Sequence, residues 1–412
     1  MTANQSGTRR QDGRRTRAIV IGAGIGGLAA AVALRKVGID VQVFERASKL
    51  QAAGSGLSVM SNALAALDSL DIDLELEKYG QTLESYDIRN HQGELIRSLP
   101  IAEVIEGLGA PSVCISRPAL QTALLTAAGD VPIALGAVAT GFEPVGDGVR
   151  VTFQDGSHAE ADLLIGADGF HSAIRRELVR PEGADAEQSG PEPHKDSGYI
   201  CWLGIIPFEH PRMTTGSVHH YWGSGRRFGL IDIGHGNAYW WGTKNMPAAE
   251  SADWRGGPGG KEQVLSAYEG WADEVQQAIL QTPEDKILGV PSRDRVFLER
   301  WGKGPVTLLG DAAHPMLTSL GQGSGLAIED AVVLAQSLRD STDPVSGLRS
   351  YEDTRRERTR QLVAASRSLS DFEQVETPEA CAERDEYFRT VPHRTLVEQQ
   401  TDSMTFPLPA TT

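Results

Sequence analysis

Three stretches of the sequence end an apolar run in glycines and a carboxylate, the residue types that hold phosphates and sugar hydroxyls. The first is Gly22-Ala23-Gly24-Ile25-Gly26-Gly27, with Glu45 about twenty residues downstream. Gly22 permits a tight turn, Gly24 lets the backbone approach a pyrophosphate, and Gly27 lets helix and strand pack closely. The following helix start offers free amides and a positive dipole end to phosphate, and Glu45 is placed to accept from ribose hydroxyls. In the second, Gly166-Ala167-Asp168-Gly169-Phe170-His171-Ser172, Asp168 either caps the next helix or binds a ligand hydroxyl. The third, Gly310-Asp311-Ala312-Ala313-His314-Pro315, delivers Asp311 from a buried strand and runs on to Gly321-Gln322-Gly323-Ser324. That second helix start is another site for negative charge. His314, between the strand and Pro315, reads as structural.

These residues need elements to hold them. Ala18 to Ile21 forms a strand, the small residues after Gly27 a helix, and Val41 to Phe44 a second strand, which makes a βαβ unit. A rival reading takes residues 18–34, behind Arg9-Arg10 and Arg14-Arg15, as a secretory or twin-arginine signal. The stretch is Gly- and Ala-rich, short for a membrane span, and has its glycines where a phosphate loop needs them. Helical spacing follows at Ala63 to Leu70, and residues 84–100 alternate as a strand pair turning at Asn90-His91-Gln92-Gly93. Ser116 and Pro118 start a helix running to about Ala128. Strands are expected near 131–139 and 149–154, turned by Asp155-Gly156, and residues 181–197 read as a loop and domain crossing.

From Tyr199 to Trp241 the pattern is β-like and aromatic, a suitable floor for an apolar pocket, although ordinary sheet packing accounts for any single ring. The helical segment 347–373 carries Arg355, Arg356, Arg358 and Arg360, expected on a solvated face. Residues 376–412 give no usable signal.

The chain has 412 residues, enough for two domains with cores. Its formal charge of −16, with basic residues clustered only in the first 17, argues against nucleic acid and anionic membrane as partners. Residues 1–16 are expected to be a disordered tail. Cys114, Cys201 and Cys381 form no CxxC pair and have no His at zinc spacing, so neither a metal site nor a disulfide framework is expected, and a reducing cytoplasm fits. No internal repeat, acid/base carboxylate pair or nucleophile triad competes.

Together and in this order, over about residues 17–372, the three stretches resemble the group A flavoprotein monooxygenases, the para-hydroxybenzoate hydroxylase-like family. Its first motif matches Gly22, Gly24, Gly27 and Glu45, its Asp-Gly motif Asp168-Gly169 with Ser172 and Arg175, and its Gly-Asp motif Gly310 to Pro315 with Gly321 and Gly323. The resemblance implies an α/β fold: a Rossmann-like FAD domain from residues 17–80, 110–185 and 288–375, an inserted antiparallel sheet domain from 81–109 and 186–287, a C-terminal helix and an extension over 376–412. FAD is the implied cofactor, NADPH or NADH the co-substrate, and one oxygen atom of O2 passes to a small apolar or aromatic molecule through a flavin C4a-hydroperoxide, in hydroxylation or epoxidation. Asp311 would hold the FAD ribityl chain, Arg46 and Arg117 would sit near pyrophosphate and ribose, and Asp168 would serve FAD and the visiting nicotinamide. Open amides at Gly321, Gly323 and Ser324 would stabilise the anionic reduced flavin.

Many members carry Pro where this chain has Thr318, which puts phenol hydroxylation in question. The catalytic residue is not identified; Pro315, Thr318, Tyr221, Trp222 and Trp241 are candidates near flavin and pocket, and His219, His220, Tyr221, Asp232 and His235 are candidate bases among which nothing chooses. Alternatives are a reductase or a halogenase of the same fold, the latter disfavoured because Trp202-Leu203-Gly204-Ile205-Ile206-Pro207 lacks a second Trp, or a flavin-binding sensor. Oligomeric state is open.

Overall fold

A computed structural model of the chain describes residues 13–50, 54–180, 193–247, 250 and 256–407. The expected tail over residues 1–12 and most of the expected 181–197 loop lie outside them. The rest of that tail is a correction. Arg14 Nη2 pairs with the buried Asp162 carboxylate at 2.9 Å, Arg17 N–H donates to the same side chain at 2.9 Å, and Thr16 is buried. A buried acid has recruited the tail's arginine, because an unpaired carboxylate there would be costly.

The first motif's strand, Arg17–Ile21, lies inside a six-stranded sheet. Asp40–Glu45 and Leu163–Gly166 pair with it in parallel, one on each side. Ile133–Leu135 extends one edge and Val306–Leu308 the other, both parallel, and Gly302–Lys303 closes antiparallel on the last. The carboxyl ends of the three motif strands therefore meet at one edge of the sheet, where α/β folds place their ligands. Helices Ile25–Lys36, Arg117–Ala128, Gly323–Asp340 and Pro344–Glu373 pack around it. Ile25–Lys36 is almost wholly buried, which its run of Ala and Gly permits by letting neighbouring backbones come close.

The aromatic stretch forms most of an eight-stranded sheet, ordered Gly257–Pro258, Leu288–Asp294, Lys195–Pro207, Asn237–Asn245, Arg226–Asp232, Ser217–Trp222, Ser85–Asn90 and Leu95–Leu99. All pairings are antiparallel except Ser217–Trp222 with Ser85–Asn90. Leu288–Asp294, assigned from sequence to the last FAD segment, belongs to this sheet instead. One face is covered by helices Lys261–Ala267 and Asp273–Gln281 around Phe228, Trp240 and Tyr268. The other faces the first sheet's ligand edge.

The basic face of Pro344–Glu373 is a second correction. Arg355 is 1% exposed and bonded to Glu329 and Asp330, and Arg358 makes two bonds of 2.9 Å to Glu329. Arg356 and Arg360 do reach the surface, where they pair with Asp353 and Glu299. Periodicity marks charge as outward, but Glu329 and Asp330 on the neighbouring helix also turn inward, and paired charges are tolerated inside. Residues 376–404, silent in sequence, form helices Pro378–Thr390 and His393–Met404. Among the described residues, no helix is long and apolar enough to cross a membrane, and no cluster of His, Cys, Asp and Glu could hold a metal ion.

Candidate active site

The ligand edge of the first sheet and the open face of the second enclose one cavity of about 1440 Å³. At one end stands the glycine turn. Gly22 has φ +106°, and a Cβ there would meet Ala167 O at 2.4 Å. A Cβ on Gly27 would lie 1.9 Å from Gly22 O, so these two glycines are required by packing. Gly24 differs: a Cβ on it would meet nothing within 4 Å, and the residue lines the open cavity. Glu45 accepts from Ala23 N–H at 2.7 Å and from Ala47 N–H at 2.8 Å, which leaves carboxylate lone pairs free toward the cavity. Arg46 and Arg117 line the same end. Gln121 was missed from sequence; its Nε2 donates to Ala23 O at 2.9 Å and braces the turn, and only a contact across nearly a hundred residues reveals it.

Asp168 caps the next helix and also lines the cavity. Its carboxylate accepts from Ser172 Oγ and from Ala173 N–H at 2.6 Å, at the start of helix Ala173–Val179. Burial pushes its carboxyl pKa up against these bonds. Arg175 of that helix is buried and donates to Ala313 O at 2.9 Å and to Ala312 O at 3.3 Å. It thereby clamps the turn that presents Asp311. The turn's amide end is held by Asp330, which accepts from Gly310 N–H at 3.0 Å. Asp311 itself opens onto the cavity, deep in the cleft; surrounding protein raises its carboxyl pKa, and His314 and Arg117 offset part of that.

From Pro315 to Gly321 the chain forms a loop over the cavity, tied at three points. Leu317 O accepts from Ser366 Oγ at 2.7 Å, Thr318 O accepts from Gly321 N–H at 2.9 Å, and Ser319 Oγ accepts from Arg227 Nη1 at 3.1 Å. Thr318, Gly321, Gly323 and Ser324 line the cavity, the last two in the first turn of helix Gly323–Asp340. Pro315 is buried behind the wall and does not line it, because the chain turns outward only after His314 has bonded to Asp330 at 2.6 Å.

Strand alternation sorts the aromatic candidates. Trp222 and Trp241 line the cavity with Leu203, Val218, Ile231 and Tyr239. Tyr221 does not: it points to the opposite face, where its hydroxyl donates to Glu274 at 2.8 Å and burial pushes its pKa well up. Among the candidate bases, His220 alone lines the cavity. His219 faces away, against Arg89 at 3.3 Å; Asp232 accepts from Gly216 and Gly234 N–H at 2.8 and 2.9 Å; His235 is exposed. Arg227 runs beneath the wall, bonded to Glu373 and to Gln374 at 2.6 Å, with its guanidinium 5.4 Å from the Trp241 ring centre. Phe388, Leu396 and Ser403 of the two C-terminal helices close the far side. Sequence missed this wall, since residues 376–412 show neither motif nor strong periodicity.

The glycine end fits the expected dinucleotide: Gly24 leaves open the space that a side chain would fill, beside helix amides and Glu45. Comparisons with known proteins agree. Residues 15–366 match the family described as FAD binding domain. The aurachin C monooxygenase/isomerase of Stigmatella aurantiaca is 37% identical over 374 residues, 90% of this chain and 93% of that protein. The FAD-dependent urate hydroxylase of Klebsiella pneumoniae is 34% identical over 86% of this chain and 90% of its own. The chloroplastic zeaxanthin epoxidase of Nicotiana plumbaginifolia is 34% identical over 83% of this chain and 53% of the larger enzyme. The structure of Klebsiella pneumoniae HpxO with FAD and uric acid superposes with a TM-score of 0.84 at 30% identity, over 94% of this chain and 96% of that one. The fold, the cleft and these relatives together make the chain a member of the FAD-binding domain family and an FAD-dependent monooxygenase.

Proposed function

We propose that the protein oxygenates a neutral, largely apolar aromatic or polyene molecule, by hydroxylation or epoxidation. The carrying observation is the chamber wall. Where the large sheet faces the Thr318 loop, it presents Leu203, Val218, Ile231, Tyr239 and Trp241, and the C-terminal helices add Phe388 and Leu396. Such a wall excludes water and favours a ligand with little charge.

Bound FAD supplies hydride acceptance from the nicotinamide and the activation of O2. The chain's own residues hold it and shape its surroundings. In this reading Gly24 and the first amides of Ile25–Lys36 receive the pyrophosphate, Glu45 a ribose, and Asp311 the ribityl hydroxyls. The first-turn amides at Gly323 and Ser324 face the negative charge of the reduced ring system. Arg227 fixes Ser319, and so the loop carrying Thr318, against the sheet that receives the substrate. The absence of a span-capable helix among the described residues is compatible with work in the cytoplasm.

The test is oxygen uptake and nicotinamide oxidation by the purified yellow protein, with NADPH and then NADH, across a panel of phenols and polyenes. Faster flavin reduction and reoxidation with one apolar class, and an oxygenated product, support the reading. Turnover only with anionic substrates, or reduction without oxygen consumption, overturns it.

A further inference from the structure

The helices on the far side of the chamber touch at their ends and leave a slit between. At one end Arg358 of Pro344–Glu373 donates to Asp402 O and Ser403 O of His393–Met404, each at 3.4 Å. At the other, the Phe372 ring centre lies 5.7 Å from that of Tyr387 and 6.2 Å from that of Phe388. The two helices therefore run in opposite directions, and His393–Met404 packs mainly on helix Ile101–Leu108. The slit is part of the chamber's own cavity, which is lined here by Leu362, Ala365, Ser368, Leu369 and Phe372 from one helix and Gln399 from the other. Positions 362, 365, 369 and 372 share one helix face, so this face looks into the cavity over about 15 Å. Leu369 and Phe372 are half-buried, Ala365 and Ser368 exposed. The side chains at 365 and 368 are too short to fill the gap.

The charges around the slit are already taken. Glu329 holds Arg358 with two bonds of 2.9 Å, and Glu373 is bonded to Arg227. Nothing on this face is left to hold a phosphate, which makes the slit a poor seat for a nicotinamide dinucleotide. Gln361 and Gln399, both exposed, line it one helical turn in from the Arg358 contact with Ser403. An apolar floor that is continuous with the chamber and ends at a polar rim suits a flexible hydrocarbon chain. Its methylenes bury against Phe372, Leu369 and Leu362, and its end meets water at the glutamines.

We propose that this slit is the binding site for a long hydrocarbon chain on the substrate. The ring to be oxygenated lies in the chamber, and its chain runs outward along Pro344–Glu373 from Phe372 past Leu369 and Ala365 to Leu362. That path of about 15 Å is the reach of about twelve extended carbons at ordinary C–C bond lengths. The proposal deepens the oxygenase reading above and rests on it for the place of the ring, but it is tested by binding alone.

The experiment titrates the FAD-loaded enzyme, without nicotinamide, with 4-n-alkylphenols from ethyl to tetradecyl kept below their aggregation limits, following the perturbation of the flavin absorbance. Affinity is expected to rise about threefold for each added methylene and to level off at about twelve carbons. A Trp on the exposed lip of the slit should bring that limit closer to the ring. Ala365→Trp is expected to level off at about eight carbons and Ser368→Trp at about five, in the order of their distance from Phe372. Both positions are exposed, and equal FAD content and melting temperature show that each variant has folded. Affinity independent of chain length, a limit unchanged in both variants, or no binding of any member overturns the proposal. So does a slit occupied by the chain's own end, which would show as chain-length dependence only after removal of residues 408–412. Loss of oxygen uptake with every member, with the chain-length limits intact, overturns the oxygenase reading and leaves the chain site standing.

Discussion

His314 donates from Nε2 to Asp330 Oδ2 across 2.6 Å, and the same oxygen accepts from Gly310 N–H at 3.0 Å. One carboxylate thus pins both ends of the turn that presents Asp311 to the cleft. Its other oxygen accepts from Arg355 Nε at 2.7 Å. Replacing Asp330 by Ala removes one of the two carboxylates on the buried Arg355 guanidinium, leaving only Glu329, and releases the turn. The expected cost is about 3–5 kcal/mol in unfolding free energy, together with loss of FAD on gel filtration.

The same residue predicts an acid limb. Burial would raise the Asp330 carboxyl, but His314 and Arg355 outweigh it and hold its pKa at about 2, against an ordinary 3.8. A carboxyl depressed by folding stabilises the protein above its unfolded pKa, and that contribution is lost as pH falls from about 4 toward 2. The contribution is on the order of 2 kcal/mol. Urea unfolding between pH 5 and about 3 is expected to lose stability less steeply in Asp330→Asn than in the unaltered protein. Equal slopes would count against it.

Gly24 and Gly27 are expected to fail differently. A Cβ on Gly24 meets nothing in the protein, so Gly24→Ala should keep the melting temperature of the FAD-free protein and weaken FAD binding about tenfold. A Cβ on Gly27 lies 1.9 Å from Gly22 O, so Gly27→Ala should destabilise the FAD-free protein itself, by about 1–3 kcal/mol or more. Thermal melts of both without FAD, followed by FAD titration, separate the two effects.

Tyr221→Phe should leave kcat/KM within about twofold of the unaltered value while costing about 1 kcal/mol of stability. Its hydroxyl serves Glu274 on the face turned away from the chamber. A large loss of activity at unchanged stability would place Tyr221 at the substrate after all.

Phe388 stacks edge-on against Trp222 at 4.9 Å from the C-terminal wall. Phe388→Ala should raise KM for the oxygenated substrate about tenfold and leave FAD content unchanged, since Phe388 stands at the far end of the cavity from Gly24. Steady-state kinetics with flavin absorbance as the control measures both.

The flavin end of the molecule was legible because its requirements are local. Gly22, Gly24 and Gly27 fall within one turn and Glu45 at the end of the next strand, so spacing alone exposes them. Asp168 and Asp311 were equally visible, although sequence left open whether Asp168 would cap a helix or bind a ligand hydroxyl; in the structure it caps one and lines the cavity too. The chamber was legible only as aromatic content. Which ring faces it depends on strand register, and that separates Trp222 from Tyr221 and His220 from His219 at adjacent positions. Arg355 misled because helical periodicity sees one helix at a time, whereas its burial is decided by Glu329 and Asp330 on another. The C-terminal helices gave no sign, since their role comes from packing over a groove built far upstream.

That late placement has a consequence for biosynthesis. Every residue assigned here to FAD precedes Gly325 in the chain, while the helices that seal the chamber begin only at Pro378. A ribosome therefore releases every residue proposed to hold the flavin before it has made the last wall of the chamber. The nascent protein can take up its cofactor through a side that is afterwards closed.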